Sequence, residues 1–519
     1  MAMKRAALAA LLAAACAMLC SCASSGLPVA DDVPSVTLPP ATVSFVAPIG
    51  DAALEYTAPA YFYLPTHDGL QLIAVNADVV FSPTRPEAES LVRALLAYVG
   101  DGAASAVGGE VRLSLYGANP VEVSRDVVTV NLAANALQLS REALYLACQS
   151  ITNTLTALPQ INYVNFLVGD KPVGLDIANS LPMGAFSRSN SQDIPAVYNQ
   201  LLARRSDMAE GNEDKPLSAN VTLYFPLAGT DGMVSEVHAL TFADQSFPNM
   251  IVTILRELAL GPRDEIASPA LPLLADLLTA QPAIVASEEA GGSVIQLEFA
   301  YNLDDMLEAY GVTRAQAMAS LCYTLCTFFP NVIGISVAIN NTPIDLQTLQ
   351  EDAEVSIAYH EDVLMRSDFS TMLYDYCTLF LADAAREKLC QVRRPISYAR
   401  RNDPRTLLAQ LSLGSQPSDT TEGLASVMPL GALGDTTVLG IALEGDTLLV
   451  NFSPAFAQVG QGMSEQEERL LAYSIVNTLC AGTPATSVCF FVSGAQFEGF
   501  SGKIYWPGLF YPLPVETAK

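Results

Sequence analysis

Ser150-Ile-Thr-Asn-Thr-Leu155, Ser320-Leu-Cys-Tyr-Thr-Leu325 and Ser474-Ile-Val-Asn-Thr-Leu479 decide how this chain folds. Each stretch closes a run with helical apolar spacing and leads into a β-type run, Asn162–Val168, Val332–Ile339 and Val488–Val492 respectively. The leading serines stand 170 and 154 positions apart, so the copies are domain-sized and far longer than solenoid repeats. A second slot falls into the same register: Val130-Asn131-Leu132, Leu297-Glu298-Phe299 and Val450-Asn451-Phe452.

Outward from these anchors, the first copy opens with the alternating run Ala60-Tyr-Phe-Tyr-Leu64, a turn over Pro65 to Gly69 and a return strand Leu70 to Val75, a hairpin pattern. The spacing predicts a helix from Glu87 to Val99 stopped by Gly100, a strand Val127 to Leu132, and a helix capped by Ser140 that runs to Leu158. The second copy repeats this order with Val221–Phe225, a helix Asn249–Leu260, the strand Val294–Phe299 and a helix Arg314–Phe329. The third offers Thr378–Leu381, a helix after Asp403-Pro404, Leu448–Phe452, and a helix whose Ser464 and Glu467 form a capping box. This order predicts an α+β fold of three tandem two-layer modules, each a small, mostly antiparallel sheet with two helices on one face. The expected modules span 58–175, 217–345 and 375–519, joined by linkers 176–216 and 346–374, with 23–57 a flexible tether. Met183–Arg188 and Val363–Asp368 resemble each other, so part of each linker is expected to pack on the module before it.

The amino terminus points to location. Lys4 and Arg5 precede the apolar run Ala6 to Met18 and Leu19-Cys20-Ser21-Cys22, so residues 1–22 read as an export signal too short to remain as a span. The order Leu, small, small, Cys is similar to the lipobox of bacterial lipoproteins. That similarity implies diacylglyceryl modification of Cys22 and an extracytoplasmic chain anchored to the outer face of the cell membrane. The 519 residues carry a formal charge of −28, or −30 once Lys4 and Arg5 are lost. Such an acidic surface repels phosphate backbones and argues against nucleic acid as a partner. Past the signal, the cysteines lack zinc-site spacing and the chain has three histidines in all, so no metal and no cofactor is expected. Cys322 and Cys326 share a helix face and read as buried small hydrophobes, while Cys377 and Cys390 flank a hairpin and are the best disulfide candidates.

The helix end Leu260-Gly261-Pro262, with Leu413-Gly414 in the third copy, the Val-Asn-Phe type of strand, and the Asn-Thr-Leu helix before Val164-Asn-Phe-Leu-Val-Gly-Asp-Lys-Pro172 together resemble the GerMN domain. That family takes its name from a sporulation and spore-germination lipoprotein. The resemblance covers residues 58–175, 217–345 and 375–500; the middle copy departs, with Tyr323 where Asn stands elsewhere and Asn340-Asn341 in place of Gly169-Asp170. It implies envelope assembly or organisation through protein contacts and brings no catalytic residues. Similar domains also occur in lipoproteins that modulate a sensor kinase, though no propeller-like segment is evident here.

Among candidate chemical groups, His67-Asp68 lies in a hairpin turn without a neighbouring Ser or Cys motif and reads as a solvated turn. Asp304 and Asp305, like Glu465, Glu467 and Glu468, stand at helix starts, where the macrodipole favours carboxylates. Asn153 and Asn477 are polar in apolar helices. They could line a ligand groove, but satisfying an open backbone group beside the sheet is the preferred reading. Tyr505 and Trp506, in an aromatic and proline-rich tail, would cover the last module or offer a docking patch. The sequence therefore reads as a non-catalytic anchored lipoprotein that meets envelope or sporulation proteins, or its own copies, through exposed sheet edges. The alternatives are a lipoprotein binding peptidoglycan or a small ligand between copies, and an accessory lipoprotein of a sensor kinase.

Overall fold

The computed structural model describes residues 45–206, 216–263, 270–344 and 363–514, except 53, 84, 418, 420, 422 and 501–503. Cys22 and the tether up to residue 44 lie outside the described residues. Residues 47–519 form one compact unit.

The first module begins with a hairpin, β1 (Tyr56–Pro65) and β2 (Leu72–Phe81), followed by helix α1 (Glu87–Ala97). A mixed sheet then forms from β3 (Val121–Ser124), β4 (Val127–Leu132) and β5 (Tyr163–Val168). β3 and β4 are antiparallel, whereas β4 and β5 are parallel, with Val128 opposite Val164. A parallel pair needs a long crossover, which α2 (Arg141–Leu155) supplies. The second module repeats the order: hairpin β7 (Leu217–Pro226) and β8 (Met233–Phe242), α4 (Phe247–Leu260), β9 (Ala283–Ser287), β10 (Gly292–Phe299), α5 (Leu303–Ala309), α6 (Arg314–Phe328) and β11 (Val332–Ile339). The third has β13 (Tyr374–Asp383), β14 (Leu389–Ser397), α7 (Pro404–Ser412), β15 (Val438–Glu444), β16 (Thr447–Phe452), α8 (Glu465–Gly482) and β17 (Ser487–Val492). The α+β class and the modular order are as expected. Within each module the strands divide into a hairpin, extended in the third module by the short strand Leu424–Ala425, and a sheet built on one parallel pair. The hairpin strands run longer than expected, because β1 and β2 continue as a half-exposed ribbon beyond the part that faces the core.

The repeated hexapeptide is a stitch between helix and hairpin. β2 pairs with one edge of β1, and the other edge is left with open backbone groups. Ser150 Oγ donates to the Tyr63 carbonyl, and Thr154 Oγ1 accepts from Tyr63 N–H at 2.9 Å. Four positions apart on a helix, the two hydroxyls share one face and bracket a single strand residue. Ser320 and Thr324 hold Tyr224 in the same way, with a 3.1 Å bond to its N–H, and Ser474 and Thr478 hold Phe380, again at 3.1 Å. The Val-Asn slot locks a turn: Asn131 Oδ1 accepts from Asp170 N–H at 3.1 Å, and Asn451 Oδ1 from Gly494 N–H at 3.1 Å. Asp170 sits at φ 65° and Gly494 at φ 85°, so these turns need outside support or glycine.

The segments after the modules add strands to them. β6 (Phe186–Ser187) pairs with β5, with Phe186 opposite Val164, and β12 (Leu364–Met365) pairs with β11, with Leu364 opposite Ile335. Phe510 bridges Val488 in the same slot of the third module. The pieces expected to pack backwards therefore do so, as straps on the sheet. Between β6 and β7, residues Ile194–Ser206 form helix α3.

One expectation needs correction. Cys377 lies opposite Arg394 and Cys390 opposite Leu381, so they are offset by four residues, roughly 13 Å along the ladder, too far for a disulfide. Both are free thiols, and burial pushes the Cys377 thiol up to about 12. The first two modules share one core. One apolar cluster runs from Phe62 in the first module through Leu373 after the second and takes in Tyr398 of the third, whose other core residues form a cluster of their own around Leu379, Phe452 and Trp506.

Candidate interaction site

Asn153 and Asn477 each hold a strap by both backbone groups of one residue. Asn153 Nδ2 donates to Ser189 O at 2.7 Å and its Oδ1 accepts from Ser189 N–H at 3.0 Å, with Gln149 Nε2 bonded to the same oxygen at 2.9 Å. Asn477 binds Leu513 O and Leu513 N–H, both at 2.9 Å. In both modules the clamped residue lies 36 positions after the asparagine. These amides are filled by their own chain rather than turned to an open groove.

Tyr323 fills the corresponding slot of the middle module and faces the first module instead. Its hydroxyl donates to Glu122 Oε1 at 3.2 Å, and the Arg366 guanidinium lies 4.1 Å from its ring centroid. Arg366 also bonds Glu122 and Thr327, and its side chain is 7% exposed. Burial works against the charge on Arg366, but Glu122 beside it holds the guanidinium firmly protonated. Burial first, then the Glu122 charge, pushes the Tyr323 phenol well above its ordinary value. A cleft of about 300 Å3 opens above this pair, lined by Glu122, Asn131, Asp170, Arg366, Ser367 and Ser370.

A second junction gathers all three modules at the β3–β4 turn. Ser124 Oγ donates to Tyr374 O at 2.8 Å and accepts from Ser235 N–H at 2.9 Å, while Ser235 Oγ donates to Ser124 O at 2.7 Å. Arg125, at φ 56°, donates its N–H to Asp375 Oδ1 at 3.1 Å and reaches Glu236 at 3.3 Å. Glu236 in turn bonds His238 Nε2 at 2.8 Å, and His238 Nδ1 lies 2.7 Å from Glu257. Burial alone would raise the Glu257 carboxyl, but its bonds to His238 and Arg263 hold it below the usual carboxylate range.

The remaining candidates are placed as follows. Trp506 is fully buried among Phe456, Phe490, Phe497 and Phe510, and its Nε1 donates to Glu468 Oε1 at 2.7 Å, whereas Tyr505 is 80% exposed. Glu467 accepts from the N–H of the helix cap Ser464 at 2.9 Å, and Asp304 pairs with Arg314 at 2.6 Å. His67 does have a serine beside it: Ser105 Oγ lies 3.0 Å from Nδ1, and Nε2 lies 2.7 Å from the Gly102 carbonyl. Asp68 turns away to Thr66 and Leu70, so the ring is oriented by backbone, not by a carboxylate, and the group is exposed. Sequence reasoning missed Glu122, Arg125 and Arg366. A usable signal existed for Arg366: it stands two residues after the strap's paired Leu364, as Arg188 does after Phe186, and Arg188 likewise lies 4.4 Å over Tyr63. Among the described residues no helix is long and apolar enough to cross a membrane.

Residues 59–174 and 378–498 match the family model described as Germane, sporulation and spore germination. No curated protein matches the chain. Among solved structures, the tandem GerMN domains of the sporulation protein GerM from Bacillus subtilis are similar at 16% identity, covering 58% of this chain and 100% of that one, with a TM-score of 0.21. The first GerMN domain of the same protein is similar at 16% identity, covering 28% and 97%, with a TM-score of 0.19. The first and third modules are therefore Germane domains, of the family described as sporulation and spore germination.

Proposed function

We propose that the protein is a non-catalytic envelope lipoprotein, anchored through Cys22 on the outer face of the cell membrane, that works in sporulation, germination or envelope assembly through protein contacts. We further propose that residues 217–345 are a third, divergent copy of the family domain. The stitch of Ser320 and Thr324 to Tyr224, made as in both outer modules, supports this. One observation carries the functional reading: the polar side chains that recur between modules are spent on the chain's own backbone, leaving its surfaces to do the work.

Two measurements test it. Cys22→Ala should move the protein from the membrane fraction to the soluble one; retention in the membrane would refute the anchor. The soluble mature region should associate with itself or with an envelope protein and should ignore purified cell wall. Monomeric behaviour with saturable binding of wall fragments would favour a second reading, a receptor for a small polar ligand, for which the cleft beside Glu122 and Arg366 is the supporting observation.

A further inference from the structure

The stretch just before the first module lies on the third. Gly50 N–H donates to Leu439 O and Ala52 N–H to Ile441 O, both at 3.0 Å, so residues 50–52 lie along the outer edge of β15. Side chains make this pairing selective. Asp51 takes Arg405 at two points, 2.8 and 3.0 Å, and accepts from Ile441 N–H at 3.1 Å. Asn451 Nδ2 donates to Pro48 O at 2.8 Å; the equivalent Asn131 amide is bonded within its own module, to Asp170. Gly440 permits the approach, since a Cβ there would stand 2.5 Å from Gly50 O and 2.7 Å from Pro48 O. Leu54 is buried in the third module's core, yet β1 of the first module begins at Tyr56. Ile49 is 97% exposed, so recognition rests on the glycine and the aspartate that follow it.

We infer that the outer edge of β15, with Arg405, Gly440 and Asn451, is a binding site for an extended peptide carrying glycine followed by aspartate. Its ligand is the arm 48–52, supplied by the same chain or by a second copy of it. Strand addition takes its affinity from backbone bonds and its selectivity from such side-chain contacts, and none of these depends on the covalent link between arm and module. Exchange between two copies preserves every bond, as in swapped arms generally, while the short link favours the intramolecular form at low concentration.

The test uses the full chain with a protease site inserted after Glu55, cut once it has folded, with a fluorophore on the arm. The arm should stay bound after cleavage, dissociate in a saturable way on dilution, and pass to an unlabelled second copy. Gly440→Val, Arg405→Ala and, on the arm itself, Asp51→Asn should each weaken retention, by about tenfold for loss of the two-point charge pair. Release of the arm at the moment of cutting, equal retention in all variants, or failure to pass between copies would overturn the inference.

Discussion

The middle module and the two outer ones use a single helix position in opposite ways. In the outer modules Asn153 and Asn477 turn to their own straps. In the middle one Tyr323 turns to a neighbour, placing its hydroxyl on Glu122 and its ring under Arg366. A short amide satisfies a nearby backbone, whereas a long aromatic can reach across a boundary and carry apolar area with it. One substitution class thus separates a module that closes on itself from one that fuses with its predecessor, and the shared core of the first two modules accords with this.

The largest effect that would break this contrast is Arg366→Ala. It leaves the largely buried Glu122 without its charge partner and should cost about 3–5 kcal/mol in urea denaturation, with faster amide exchange in β3 and α6 and little change in the third module. Tyr323→Asn converts the middle slot to the outer type and should cost about 3 kcal/mol, the scale for removing a buried ring; a neutral result would mean the ring does not bind the modules together. Asn477→Ala leaves both backbone groups of Leu513 unmet and should cost about 2 kcal/mol, with exchange rising at the carboxy-terminal strap alone. Ser150→Ala and Ser320→Ala should cost similar amounts, about 1–2 kcal/mol each, because each uncovers one strand carbonyl; a clear inequality would show that the stitch is not equivalent in the two modules. The smallest effect is Ser464→Ala, about 1 kcal/mol from a lost helix cap, seen as a lower thermal midpoint confined to the third module.

What the sequence disclosed follows the range of the interactions involved. Ser464 with Glu467, the strand Val332–Ile339, and the hydroxyls four apart at Ser150 and Thr154 are all local patterns, written within a few residues. Arg366 and Glu122 are 244 positions apart, and Ser124 and Ser235 are 111 apart, so no spacing rule announces them. Flanking a hairpin does not fix the register of Cys377 and Cys390; two cysteines pair only if they fall opposite one another, and the ladder puts Arg394 and Leu381 there. Polarity marks Asn153 and Asn477 in the sequence, but the equal distance to their straps in both modules has meaning only because the straps join the sheets.

The arm at 48–52 alters how the molecule would bear load. Because the chain passes over the last sheet before entering the first hairpin, tension on its amino-terminal end meets the bonds of Gly50, Asp51 and Ala52 on β15 and Arg405 before it meets β1. A pull from that end is therefore felt first by the module farthest along the sequence.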